Sequence, residues 1–145
     1  MELMRNDALK AHLPCCTITA ISVFTGIKFE HVWHEAKTSY AKNWRGRTHN
    51  HVQQRLMKKF NKGRTAGFRP GRMTLQKFHE NQSRKNVAYL IYTTGHCQVM
   101  VNGYVVDQKG VVHISEFHGR RKIVTHAYAK SVDNVTFNGV DITEK

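Results

Sequence analysis

The spacing of apolar positions changes part-way along this chain. From residue 87 onward it is that of strands. Val87 to Tyr92 (V-A-Y-L-I-Y) is the most strand-like run. The stretch H-C-Q-V-M-V-N-G-Y-V-V-D, residues 96–107, holds two apolar runs joined by Asn102-Gly103. That dipeptide signals a type I′ turn, so the stretch predicts a β-hairpin. A two-residue loop fixes the register: Val101 faces Tyr104, Met100 faces Val105, Val99 faces Val106 and Gln98 faces Asp107. Cys97, Val99, Val101, Tyr104 and Val106 then share one face, read as the core face. His96, Gln98, Met100, Val105 and Asp107 share the other. His96 and Asp107 become diagonal neighbours, roughly 5–8 Å apart at Cβ. Short strands over 111–114 and 122–128 follow, and a second Asn-Gly pair at 138–139 predicts a small hairpin over 135–142.

Upstream the pattern is helical. Residues 1–14 read as a short helix or arm ended by Leu13-Pro14. The run C-C-T-I-T-A-I-S-V-F-T-G predicts a short buried helix from about Cys16 to Thr25, with Gly26 as its C-cap. Its β-branched residues leave a strand open. Phe29, Val32, Trp33 and Ala36 follow helical spacing and predict an amphipathic helix over 28–40, with His31 and His34 off the apolar stripe. Val52, Leu56 and Phe60 predict another over 48–61, capped by Thr48. Thr74 is positioned to cap a further short helix, T-L-Q-K-F-H-E-N-Q. Helices first and antiparallel strands after give an α+β arrangement, expected to be a single domain over residues 1–145.

Charge adds a partner to this picture. Lysine and arginine number 23 against 10 acids, a formal charge of +13 with an isoelectric point near 10.0. Such a balance suggests a polyanionic partner, either nucleic acid or an acidic protein. The most basic stretch, 41–72, contains no acid. Within it Lys58, Lys59, Lys62, Arg64, Arg69 and Arg72, interleaved with Trp44, Phe60 and Phe68, are candidate nucleic-acid contacts. A solvated basic face with aromatic core anchors accounts for the same residues. His49 and His51 lack an evident third ligand, so no metal is expected.

The three cysteines, Cys15, Cys16 and Cys97, form neither a disulfide framework nor a CxxC metal pair, which fits a reducing, cytoplasmic setting. No signal-peptide core and no apolar run long enough to span a bilayer are visible, so no membrane partner is expected. Cys15 or Cys16 would open the first helix, where exposed amides and the macrodipole favour a thiolate.

The order of these features resembles the compact branch of the papain-like cysteine peptidases, the bacteriocin-processing peptidase domains and small phage or bacterial proteins related to them. The matching residues are Cys16-Thr17, Ala20 and Thr25-Gly26, then Gly95-His96, Gly103 and Asp107. The resemblance spans roughly 13–40 and 74–128 and leaves 41–72 as a basic insertion. It implies a papain-like fold and a peptidase or amidase acting on a peptide or protein substrate, a host target if the chain is phage-encoded. It implies Cys16 as nucleophile, His96 as base and acid, and Asp107 as the group orienting the imidazole, with no cofactor. The choice of Cys16 over Cys15 rests on the spacing to Thr17 and Ala20. The oxyanion would be held by the Cys16 amide and one side-chain donor. Relatives place a glutamine before the cysteine; here Asn6, Lys10 and His12 are the nearby polar donors, and His12 is the candidate. The absent glutamine and the high charge favour an alternative, a catalytically inactive papain-like fold serving as a basic nucleic-acid-binding or host-protein-interaction module. Cys97, on the opposite face from His96, reads as a packed core thiol.

Overall fold

A computed structural model describes residues 1–3, 13–61, 67–137 and 139–145. The chain begins with a two-residue strand, β1 (Glu2–Leu3). Four helices follow: α1 (Cys16–Thr25), α2 (Phe29–Lys37), α3 (Asn50–Phe60) and α4 (Leu75–Asn81). Then come β2 (Val87–Thr93), β3 (His96–Val101), β4 (Tyr104–Asp107) and β5 (Gly110–His113). A 3-10 turn (Ile114–Glu116), β6 (Val124–Ser131), β7 (Thr136–Phe137) and β8 (Val140–Asp141) complete the chain. The arrangement is α+β, with helices ahead of a mostly antiparallel sheet. No helix among the described residues is long and apolar enough to cross a membrane.

The main sheet has the order β5-β4-β3-β2-β6, all of its pairs antiparallel. Its centre is the predicted hairpin in the predicted register, Val99 opposite Val106, Met100 opposite Val105 and Val101 opposite Tyr104. Asn102 in the turn sits at φ 51°, as a type I′ turn requires. A smaller sheet pairs β7 with β8 and adds β1 in parallel to β7.

Both faces of the main sheet are buried, which corrects the expectation of one core face. Ala88, Leu90, Tyr92, Cys97, Val99, Val101 and Val106 pack with Ile18, Ile21 and Phe24 of α1, Val32 and Trp33 of α2, and Val52 and Leu56 of α3. On the reverse face Tyr89, Ile91, Met100, Val105 and Ala127 meet Leu75 and Phe78 of α4 with Ile114, Phe117 and Val124. A strand buried on both sides reads as a continuous apolar run, and V-A-Y-L-I-Y is one. Fully burying a side chain the size of Phe78 contributes about 1.5–3 kcal/mol, so the reverse core is a substantial part of the fold.

Local signals explain two of the helix ends. α1 ends where Gly26 turns left-handed at φ 77° and its amide bonds Ser22 O. The Thr74 hydroxyl accepts from the Lys77 amide and caps α4. The predicted second helix is shorter than expected, because Thr38 to Tyr40 leave the helical path in a turn. α3 starts at His49 rather than with a Thr48 cap; the Thr48 hydroxyl accepts instead from Gln53 Nε2 at 3.0 Å. The strand expected at 122–128 runs Val124–Ser131, and the one expected at 111–114 runs Gly110–His113. Because α3 sends Val52, Leu56 and Met57 into the main core, the part of 41–72 that includes it is integral to the packing.

Candidate active site

Cys16 opens α1, and α1 packs on β3, whose first residue is His96. The first-turn amides of a helix have no intrahelical partner and point at whatever occupies its N-terminus. Cys16 sits there half-buried, with Cys15 wholly buried behind it. Burial disfavours the Cys16 thiolate. It is outweighed by the His96 imidazole, through hydrogen bonding and charge, then by the Cys97 backbone amide and the Thr17 side chain. The thiol pKa therefore lies below its ordinary value.

His96 stands at the end of the sheet, where its ring reaches Asp107 on one side and Cys16 on the other. Its Nε2 lies 3.0 Å from Asp107 Oδ2. With Nε2 committed there, Nδ1 is the nitrogen left for the thiol. Burial would lower the imidazole pKa, but the Asp107 hydrogen bond and the Cys16 thiolate raise it to about 9. Asp107 has a side chain 3% exposed. Burial pushes its carboxyl up; hydrogen bonds from His96 and His118 and from the Lys109 amide, 2.9 Å from Oδ1, hold it below the usual range. A buried carboxylate with three donors is fixed in place, and so is the imidazole it holds.

The structure thus brings Cys16, His96 and Asp107 together. His12 lies outside the described residues, as do Lys62 and Arg64. The remaining basic candidates occupy different surroundings. Lys59 pairs with Glu35 at 2.9 Å, beside Arg55. Lys58, Arg69 and Arg72 are all exposed, Arg69 at the cleft beside His96. Cys97 is buried in the helix-side core, and its burial holds the thiol protonated, its pKa pushed well up.

Two residues at the site escape sequence reasoning. His118 Nε2 lies 3.0 Å from the same Asp107 Oδ2, so one carboxylate oxygen receives two imidazoles. His96, Asp107 and His118 place three potential ligand atoms within 4.8 Å of one another, the group among the described residues best arranged to hold a metal ion. A metal there would take His96 Nε2 away from Asp107. Gln53, from α3, reaches Thr17 Oγ1 at 3.3 Å and Thr48 O at 3.2 Å. It brings a glutamine amide to the first turn of α1, in a chain with no glutamine upstream of Cys16. No periodicity marks either residue. The equal separations of His96, Asp107 and His118 along the chain are the only local hint.

Comparison with protein-family models, with curated proteins and with solved structures finds no match for this chain.

Proposed function

We propose that this chain is a papain-like thiol hydrolase, a peptidase or amidase, using Cys16, His96 and Asp107. The observation that carries the reading is one imidazole, His96, held 3.0 Å from the buried Asp107 carboxylate and hydrogen-bonded to the Cys16 thiol at the start of α1. Each group favours the charged form of the next, which favours a thiolate–imidazolium pair.

The chemistry follows from those charges. The Cys16 thiolate adds to the substrate carbonyl carbon, and the electron pair moves to the carbonyl oxygen. The Cys16 amide at the helix N-terminus is placed to hold that oxyanion. As the carbonyl re-forms, His96 gives its Nδ1 proton to the leaving amine, and a thioester remains on Cys16. Water, losing a proton to His96, then attacks the thioester. The acid departs, and the thiolate and imidazolium are restored. Asp107 keeps Nδ1 directed at sulfur throughout.

A test uses p-nitrophenyl acetate as acyl donor and intact-mass analysis of the protein. The expected result is one acetyl group on Cys16, formed in a burst and lost on incubation. Absence of acetylation at Cys16 would contradict the reading and favour the alternative, a fold without turnover that binds nucleic acid or an acidic protein through its basic surface.

A further inference from the structure

The cleft beside His96 holds about 590 Å³, and its described lining includes Thr17, Arg47, Gln53, Arg69 and His126 but no carboxylate. Two arginines therefore border a concave surface that also includes the proposed catalytic imidazole. Neither Arg47 nor Arg69 forms an ion pair with a described residue, although Arg55 and Lys59 a short way along the chain share Glu35. Both arginines are exposed, and a guanidinium without an ion-pair partner beside a concave surface attracts a carboxylate.

Both arginines are held where they are by backbone contacts. Arg69 follows Phe68, which exchanges two hydrogen bonds with Ala127 of β6, Phe68 N to Ala127 O at 2.8 Å and the reverse at 2.9 Å. Arg47 follows Gly46, which lies against Cys15 and Trp33 so closely that a Cβ there would come within 3.0 Å of each. The Arg47 carbonyl also accepts from Trp44 Nε1 at 2.6 Å, and Trp44 stacks on Tyr40 with ring centroids 5.0 Å apart. The loop bearing Arg47 is thus docked directly behind the residue that precedes the nucleophile. His126, whose pKa falls through burial and then through the neighbouring Arg69 charge, registers the positive field in the cleft. Beyond His126 the surface continues past Tyr92 and Tyr128 towards Phe68, an aromatic wall suited to an extended peptide.

We infer that the thiol hydrolase selects acidic peptides, with an aspartate or glutamate side chain near the scissile carbonyl bound by Arg47 and Arg69. The inference rests on the proposed activity and adds its substrate class. A peptide is favoured over nucleic acid because the two arginines flank a cleft that starts at the thiol's partner and carries neutral amides and hydroxyls between the charges. A phosphate backbone is more often tracked along an extended groove.

The test uses the full chain and acyloxymethyl ketone peptides that differ only in carrying Asp, Asn or Lys at the two positions nearest the ketone. Labelling rates of Cys16 are measured by intact mass. Each is divided by the same protein's rate with iodoacetamide, which cancels any change in thiolate content. The Asp probe is expected to react about tenfold faster than the Asn probe, the advantage of a charge-assisted hydrogen bond. The Lys probe should be slowest. The preference should shrink at 1 M salt, where screening acts over about 3 Å. It should vanish in the mild double variant R47Q/R69Q and reverse in R47E/R69E. Equal rates for Asp and Asn would overturn the inference while leaving the hydrolase standing, as would a preference that survives both double variants. A Cys16 inert to iodoacetamide overturns the hydrolase and the inference together. In competition, polyglutamate should protect Cys16 from the Asp probe better than oligothymidylate; the opposite order would assign the cleft to nucleic acid.

Discussion

The two ends of α1 each border a cavity, yet only one end carries the proposed chemistry. At the C-terminal end a cavity of about 680 Å³, the larger of the two, is lined by Phe24, Ile27, Phe29 and Val132. There the helix is closed off. Gly26 caps it, the Ser22 hydroxyl bonds Ile27 O at 2.6 Å, and Lys130 both donates to Phe24 O and lies over the Phe24 ring. At the N-terminal end the cleft is smaller, about 590 Å³. Cys15, the N-cap residue, makes no side-chain cap bond, and the first-turn amides lie beside the proposed nucleophile. The polarity of the helix accounts for the difference. A cation suits the carbonyl end and an anion the amide end. A thiol at the amide end has its thiolate favoured; at the carbonyl end the same thiolate would be disfavoured. Cavity size is therefore a poor guide in this molecule, and the direction of a helix is a good one.

The contrast between the ends can be pressed by substitution. The largest effect is expected from Asp107→Asn. Without the carboxylate charge His96 no longer holds its proton to about 9, and the Cys16 pKa rises in response. Once the Cys16 pKa passes 7, each further unit costs about tenfold in thiolate at that pH, so iodoacetamide alkylation of Cys16 at pH 7 should slow by up to about tenfold. His118→Ala removes one of three donors to the same carboxylate and should slow it only two- to threefold, about 0.5 kcal/mol, by loosening the group that positions His96. An equal loss in the two variants would mean that Asp107 acts only through packing.

The smallest chemical effect belongs to the far end. Gly26→Ala forces a Cβ onto a residue at φ 77° and should cost about 1–2 kcal/mol in denaturant unfolding. Its alkylation rate should match the wild type. A slower rate would show that the two ends are coupled through the helix.

Legibility in the sequence followed the range of each interaction. α1 runs from Cys16 to Thr25 as its apolar run and its glycine foretold, because both signals lie inside the segment. The hairpin register followed from two turn residues, and with it the His96–Asp107 hydrogen bond. Long-range features were silent. β1 joins β7 across the whole chain, with Glu2 opposite Thr136, and no local pattern announces such a parallel pair. The reverse core was hidden because Met100 and Val105, read as the face of His96 and Asp107, are covered by α4 and the segment around Phe117. His118 and Gln53 arrive at the site through tertiary packing. Arg47 and Arg69 were submerged in a general excess of positive charge, and only the fold separates them from Lys59, which has its own acid.

The thiolate–imidazolium pair is the central claim, and the pH dependence of Cys16 alkylation by iodoacetamide tests it most directly, in the wild type and in His96→Ala. In the wild type the rate should reach its plateau below the ordinary thiol value of about 8.5. It should not fall as His96 loses its proton near 9, because alkylation needs no acid. In His96→Ala the rise should move to or above that ordinary value, since burial then acts on the thiol with no imidazole to oppose it. Superimposable profiles for the two proteins would contradict the account.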